Sequence, residues 1–163
     1  MALITSVVDL LKRERIPYTW FRHAPAATAQ ERAQASHVLG RCWAKVVICI
    51  ADDQPMQAVL PAHYKVDLEQ LRVLASAEAL RLAREEEIAA LYPDYEVGAT
   101  PPFGALHGHR VFVDRCFVGE PEMVFDAGTH TDAICMHFGD FCELAKPVVG
   151  VFGQAPPRKR ADS

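Results

Sequence analysis

The sequence predicts one mixed α/β domain built on a partly antiparallel sheet, and three features carry that prediction. The apolar run Trp43 to Ala51 is followed by the turn Asp52-Asp53-Gln54-Pro55 and a second run, Met56 to Leu60, which is a hairpin pattern. Segments of helical spacing alternate with short strands joined by tight turns, which argues against a doubly wound parallel sheet. The 163 residues hold no internal repeat and no linker rich in glycine or serine, so one core serves the chain.

The elements follow in order. Ile4, Val7, Val8 and Leu11 lie at helical spacing and give a first helix, ended by Pro17. Tyr18 to Phe21 reads as a short strand. Thr28-Ala29-Gln30-Glu31 is a capping box, opening a second helix to about His37, before Gly40. The hairpin comes next. Asp67-Leu68-Glu69-Gln70 caps a helix through about Ala75, and Ala79 to Leu82 is a short strand. Arg84 to Leu91 is a helix whose Glu85, Glu86 and Glu87 suit the positive end of its dipole. Strands are expected at Arg110–Asp114, Met123–Phe125 and Ala133–His137, and a last helix from Asp140 to Ala145, before Pro147.

Composition sets the class. Half the residues are hydrophobic and 23% are charged, as in ordinary globular proteins. No apolar stretch reaches the ~20 residues that span a bilayer. The amphipathic N-terminus, with Asp9, Lys12, Arg13 and Glu14, does not read as a signal peptide. Five cysteines, none in a Cys-x-x-Cys pair, point to reduced thiols and a cytoplasmic location. The net charge is −4, and without Arg158 to Ser163 the body carries 14 basic against 20 acidic side chains. A broad electrostatic grip on DNA is therefore not expected. Residues 1–153 are expected to form the domain and 154–163 a flexible basic tail.

The loop Glu96-Val97-Gly98-Ala99-Thr100-Pro101-Pro102-Phe103-Gly104 brackets two prolines with two glycines. Prolines fix φ and carry no N–H, whereas glycine reaches angles closed to other residues. Such a segment is either a stiff connection or a rigid wall presenting amides, such as those of Phe103 and Gly104, to a ligand. Lys45 stands inside an apolar strand and shares a face with Trp43, Val47 and Cys49. It either reaches solvent or holds a phosphate or carboxylate in a cleft. Ala127-Gly128-Thr129-His130 joins two strands, and its threonine and histidine either face water or project into a cleft. His23-Ala24-Pro25 precedes the Thr28 helix, whose N-terminal amides suit either a cap or an anion. His107-Gly108-His109 would put two imidazoles on one strand face and, with His130, gives a metal reading. No His-Glu-x-x-His or paired-cysteine motif supports it. No Gly-x-Ser-x-Gly, Walker or Rossmann motif occurs.

Taken in order, several of these segments resemble the free-standing aminoacyl-tRNA deacylases related to the editing domain of bacterial prolyl-tRNA synthetase, the YbaK/EbsC group. They are His23-Ala24-Pro25 with Thr28-Ala29-Gln30-Glu31, Ala44-Lys45-Val46-Val47, Val59-Leu60-Pro61-Ala62, Val66-Asp67-Leu68, Glu85-Glu86-Glu87, Gly98 to Gly104, and Phe125 to His130. The resemblance runs from about Arg15 to Val151. It implies a largely antiparallel, barrel-like mixed sheet flanked by helices. It also implies hydrolysis of the ester between a small amino acid and the 3′-terminal adenosine of a tRNA, without metal or other cofactor.

Gly98 and Pro102 match the family's Gly-x-x-x-Pro loop, Lys45 its lysine, and His130 a histidine of some branches, the alanine editors among them. The implied catalytic residues are Lys45, Gly98 and His130. The implied substrate-binding residues are Thr28, Thr100, Pro101, Pro102, Phe103, Gly104, Gly128 and Thr129. The loop of the cysteine-selective branch is of Gly-Gly-x-Ser-Pro type, and this chain departs from it. The implied partner is the aminoacyl-tRNA 3′ end, tRNA-Pro among the candidates, with a synthetase or elongation factor aiding capture by an acidic body. A non-catalytic module binding a nucleotide or tRNA end is the alternative.

Overall fold

A computed structural model describes residues 2–23 and 43–157. The helix expected from Thr28, Thr28 itself and the residues from Arg158 onward lie outside that range.

Helix α1 (Ala2–Arg13) buries Val7 and Leu11, one turn apart, and carries Lys12 and Arg13 in its last turn, where cations suit the dipole. Strand β1 (Tyr18–Arg22) follows, then the hairpin β2 (Trp43–Ala51) and β3 (Gln54–Pro61). Its turn residues Asp52 and Asp53 both have positive φ, as short polar side chains tolerate. A two-residue strand, β4 (Lys65–Val66), leads into α2 (Leu68–Leu74), where the Asp67 carboxylate accepts from the Gln70 amide. Strand β5 (Leu80–Leu82) precedes α3 (Glu85–Leu91), whose Glu87 reaches back to the Arg84 amide at 2.9 Å and pairs with Arg81 at 2.7 Å.

The later strands are β6 (Arg110–Asp114), β7 (Glu122–Asp126) and β8 (Asp132–His137), then helix α4 (Phe138–Ala145), β9 (Val148–Gly150) and β10 (Gly153–Gln154). Helix α4 begins two residues before its expected start. Phe138 is buried in its first turn against Phe117 and Phe141, and that packing sets the boundary. The short strands β4, β9 and β10 carry too few residues for a periodic signal.

The main sheet runs β1-β8-β7-β2-β3-β6-β9, with β5 also on β2. It is mixed: the β1–β8, β7–β8, β2–β3 and β2–β5 pairs are antiparallel, and β2–β7, β3–β6 and β6–β9 are parallel. Strand β2 is the pivot. One edge pairs along its length with β3. The other is shared, Trp43 and Ala44 running beside β7 and Cys49 to Ala51 beside β5. Lys45 to Val47 lie between those two ladders.

Strand alternation divides the interior. Ala44, Val59, Val111, Val113 and Phe125 face α1 and α4, around Phe103 and Phe141. Cys49, Met56, Ala58, Leu60 and Phe112 face the other way, around α2 and Phe152. The Asp114 carboxylate ties the chain end to the sheet, accepting from the amides of Phe152 at 3.1 Å and Gly153 at 2.6 Å.

Candidate active site

The loop after α3 closes on the β7–β8 turn through backbone hydrogen bonds. The Glu96 amide donates to the Gly128 carbonyl at 2.8 Å, and the Gly128 amide donates to the Ala99 carbonyl at 2.9 Å. Gly98 and Gly128 both have positive φ, +91° and +102°, where a side chain would be strained. The two glycine segments that the sequence singled out, some thirty residues apart, are thus one structural unit.

His130 completes it. Its Nε2 lies 2.9 Å from the Val97 carbonyl oxygen. A carbonyl only accepts, so Nε2 carries the proton, and in the neutral ring Nδ1 holds the lone pair. That Nδ1 is buried with no hydrogen-bond partner among the described residues. A Cβ on Gly98 would stand 3.2 Å from the His130 Cε1, so glycine leaves the space that the imidazole occupies.

Thr129 is buried, and its hydroxyl donates to the Asp132 carboxylate at 2.5 Å while accepting from the Asp132 amide at 3.0 Å. Its one proton is used there, so the hydroxyl shapes the turn that carries His130. Asp132 also receives the Trp20 indole N–H at 3.0 Å and lies 3.6 Å from Arg22, which fixes β1 beside the turn.

The proline segment divides its roles. Thr100, Pro101 and Pro102 are buried. Phe103 is a core residue, edge-on to Phe125 and Phe141 with ring centroids 5.6 Å away in each case. The Gly104 amide, expected to face a ligand, donates instead to the buried Gln57 side chain at 3.0 Å. Sequence inspection passed over Gln57, because a lone glutamine in a β pattern gives no signal until its partners are known.

Lys45 is tied to this region through the backbone of the sheet, and among the described residues no side-chain hydrogen bond or ion pair joins it to the Gly98 loop or His130. The parallel ladder ends at Ala44 opposite Phe125, and one step on Lys45 is level with Asp126. Lys45 shares the face of Trp43, Val47 and Cys49, as alternation predicts. It is half-buried, and burial first, then the charge of Lys65, lowers its ammonium below the ordinary value. Beside it, His23 stacks edge-on against Trp43 at 5.2 Å, and its Nε2 is 4.0 Å from the buried Asp126 carboxylate. Asp126 and Asp132, with Arg22 beside the latter, thus bring charge to the turn, and both aspartates were missed as site candidates.

His107 and His109 do not share a strand face. Gly104 to His107 form a 3-10 turn ended by Gly108 at φ 74°. The two rings stack 6.1 Å apart and bond to tyrosines, His109 Nδ1 to Tyr92 at 2.6 Å and His107 Nε2 to Tyr95 at 3.5 Å. Among the described residues no group of three or more His, Cys, Asp or Glu side chains is placed to hold a metal ion. No helix among them is long and apolar enough to cross a membrane.

Comparison with known proteins places the chain in one sequence family and one fold. A sequence model of the aminoacyl-tRNA editing domain matches residues 23–144. No curated protein sequence matches the chain. Among solved structures, the hypothetical protein APE2540 superposes with a TM-score of 0.82 at 21% identity, over 91% of this chain and 99% of that one. A candidate trans-editing enzyme for prolyl tRNA synthetase gives 0.78 at 19% identity, over 93% and 95%. A candidate signal transduction protein from Marinobacter aquaeolei VT8 gives 0.70 at 19% identity, over 91% of this chain and 30% of that one. At these identities the structural likeness is one of fold.

Proposed function

The chain belongs to the aminoacyl-tRNA editing domain family, and from that premise we propose that it is a trans-editing hydrolase that removes a small, mischarged amino acid from the 3′ end of a tRNA, tRNA-Pro among its substrates. The observation that carries this reading is the imidazole of His130 held against Gly98, its Nδ1 lone pair without a partner among the described residues.

In the proposed reaction, water adds to the ester carbonyl carbon, the acyl–oxygen bond breaks, and the ribose oxygen leaves with a proton from the attacking water. His130, held against Gly98, positions that water or the substrate ammonium. Amides of Gly98, Thr100 and Phe103, those of Ala99 and Gly104 being engaged with the Glu96 carbonyl and Gln57, orient the carbonyl and stabilise the developing oxyanion. The Lys45 ammonium holds the terminal phosphate or ribose. A neighbouring ribose hydroxyl passes the proton, so the protein's task is positioning, which supplies on the order of 7–11 kcal/mol in favourable cases. Gly128 and Thr129 shape the turn, and Thr100, Pro101 and Pro102 wall the acyl pocket. The setting is cytoplasmic, with a synthetase or elongation factor aiding tRNA capture.

The test is a deacylation panel. Wild type and Lys45→Ala are incubated with tRNA-Pro charged with alanine, cysteine, serine or proline, and with Ala-tRNA-Ala, with and without exhaustive chelation. Selective release by wild type, unaffected by chelation and lost in the variant, is the expected result. No release from any substrate, with tRNA binding retained, would replace the hydrolase by a non-catalytic module that binds the tRNA end.

A further inference from the structure

Gln57 sits in the middle of β3, between Ile48 of β2 and Val111 of β6, with no exposed surface. Its amide is fully engaged. Nε2 donates to the Pro101 carbonyl at 3.2 Å and to the Tyr92 hydroxyl at 3.3 Å, while Oε1 accepts the Gly104 amide at 3.0 Å. These partners fix the orientation, since a flipped amide would set oxygen against the Pro101 oxygen and nitrogen against the Gly104 N–H.

The two loop contacts straddle Pro102 and Phe103. Pro101 and Pro102 have no N–H, so the loop has few donors with which to brace itself. One buried side chain on a central strand therefore grips both ends of the segment from behind. Gly104 matches this arrangement. A Cβ there would lie 3.0 Å from the Gln57 Cδ and 3.1 Å from Oε1. The grip is backed in turn: Tyr92, whose phenol burial pushes up to about 12 against the opposing hydrogen bond from Gln57, stays protonated and donates to the His109 Nδ1 at 2.6 Å. A leucine would fill the same apolar interior without the desolvation of an amide, so what the glutamine adds is direction.

We propose that Gln57 is a positioning residue: by clamping Pro101 and Gly104 it fixes the depth of the acyl pocket and so sets which amino acids the site accepts. This rests on the deacylase reading given above. The loop contacts the acyl group and not the tRNA body, so the effect falls on kcat and on acyl selectivity.

The experiment compares wild type, Gln57→Leu and Gln57→Glu. Each is assayed on alanyl- and prolyl-tRNA-Pro, and the Gly104 amide is followed by hydrogen exchange in an NMR spectrum. Gln57→Leu is expected to lower kcat on the preferred ester at least tenfold with KM for tRNA unchanged, and to narrow the alanyl-to-prolyl ratio at least fivefold. Its Gly104 amide should exchange at least tenfold faster. Gln57→Glu keeps an acceptor for Gly104 and is expected to recover part of the exchange protection. If kcat and the acyl ratio keep their wild-type values while only the melting temperature falls, Gln57 is merely structural and the proposal is overturned. Should Gln57→Leu fail to fold, Gly104→Ala presses a methyl on the same amide, and an unaltered acyl ratio there overturns it equally. If wild type releases no amino acid at all, the deacylase reading fails by itself. The clamp is then judged on exchange, a Gly104 amide no faster in Gln57→Leu than in wild type overturning it.

Discussion

The Cε1 of His130 lies 3.2 Å from the point where a side chain on Gly98 would begin, with Gly98 at φ +91°. The two residues belong to different loops, and each constrains the other. The glycine gives the imidazole room, and the imidazole, anchored on the Val97 carbonyl, fills the space a side chain there would take.

Gly98→Ala should therefore act twice. A methyl in the left-handed region costs about 1–2 kcal/mol, and the same methyl displaces His130. We expect a lower melting temperature and a deacylation rate reduced about 10- to 100-fold, the scale of a small misplacement of reacting groups. Single-turnover rates beside thermal unfolding curves check it. A destabilised variant at full rate would detach His130 from the reaction.

Lys45→Met should separate function from stability. The folded protein disfavours the Lys45 charge, through burial and then through Lys65. An isosteric apolar side chain removes that penalty, so stability should hold or rise. The deacylation rate should fall at least about tenfold, equivalent to ~1.4 kcal/mol of transition-state stabilisation. Urea denaturation and the deacylation panel measure the two effects. Loss of stability would show that Lys45 serves the fold.

Acid should weaken the fold through His107 and His109. Burial is the first cause lowering both below 6.5, opposed by Asp94 at His107 and reinforced by His107 at His109. The unfolded chain then binds more protons than the native one just below pH 6.5. Their contribution is fully present above 6.5, lost as pH falls through the folded values, and constant below them. Denaturant midpoints from pH 7.5 down to 5 should drop, and His109→Gln should flatten part of that slope. An unchanged slope in the variant would mean that other groups set the acid limit.

Much of the fold was legible because its signals are local. The hairpin at Trp43 to Pro61 follows from two apolar runs and an Asp-Asp turn, and α2 from Asp67 as a cap. The glycine and proline positions marked both halves of the candidate site. Gln57, Asp126 and Asp132 were not legible, because each acts through partners distant in sequence: Pro101 and Gly104, His23, and Trp20. The part that Gly104 takes was misjudged for the same reason. Its amide could be seen, but the side chain that occupies it could not.

The sequence by itself determined most of the longer elements, their rough limits, the mixed class and a family likeness, since backbone angles, capping and periodicity depend on neighbours a few residues away. Only the tertiary structure decided that β2 lies beside β7, that the Gly98 loop closes on Gly128, and that Gln57 braces the prolines from the core. Those arrangements come from strand pairing and burial between distant segments. There each polar group must find a partner that the folded chain, and not the local sequence, supplies.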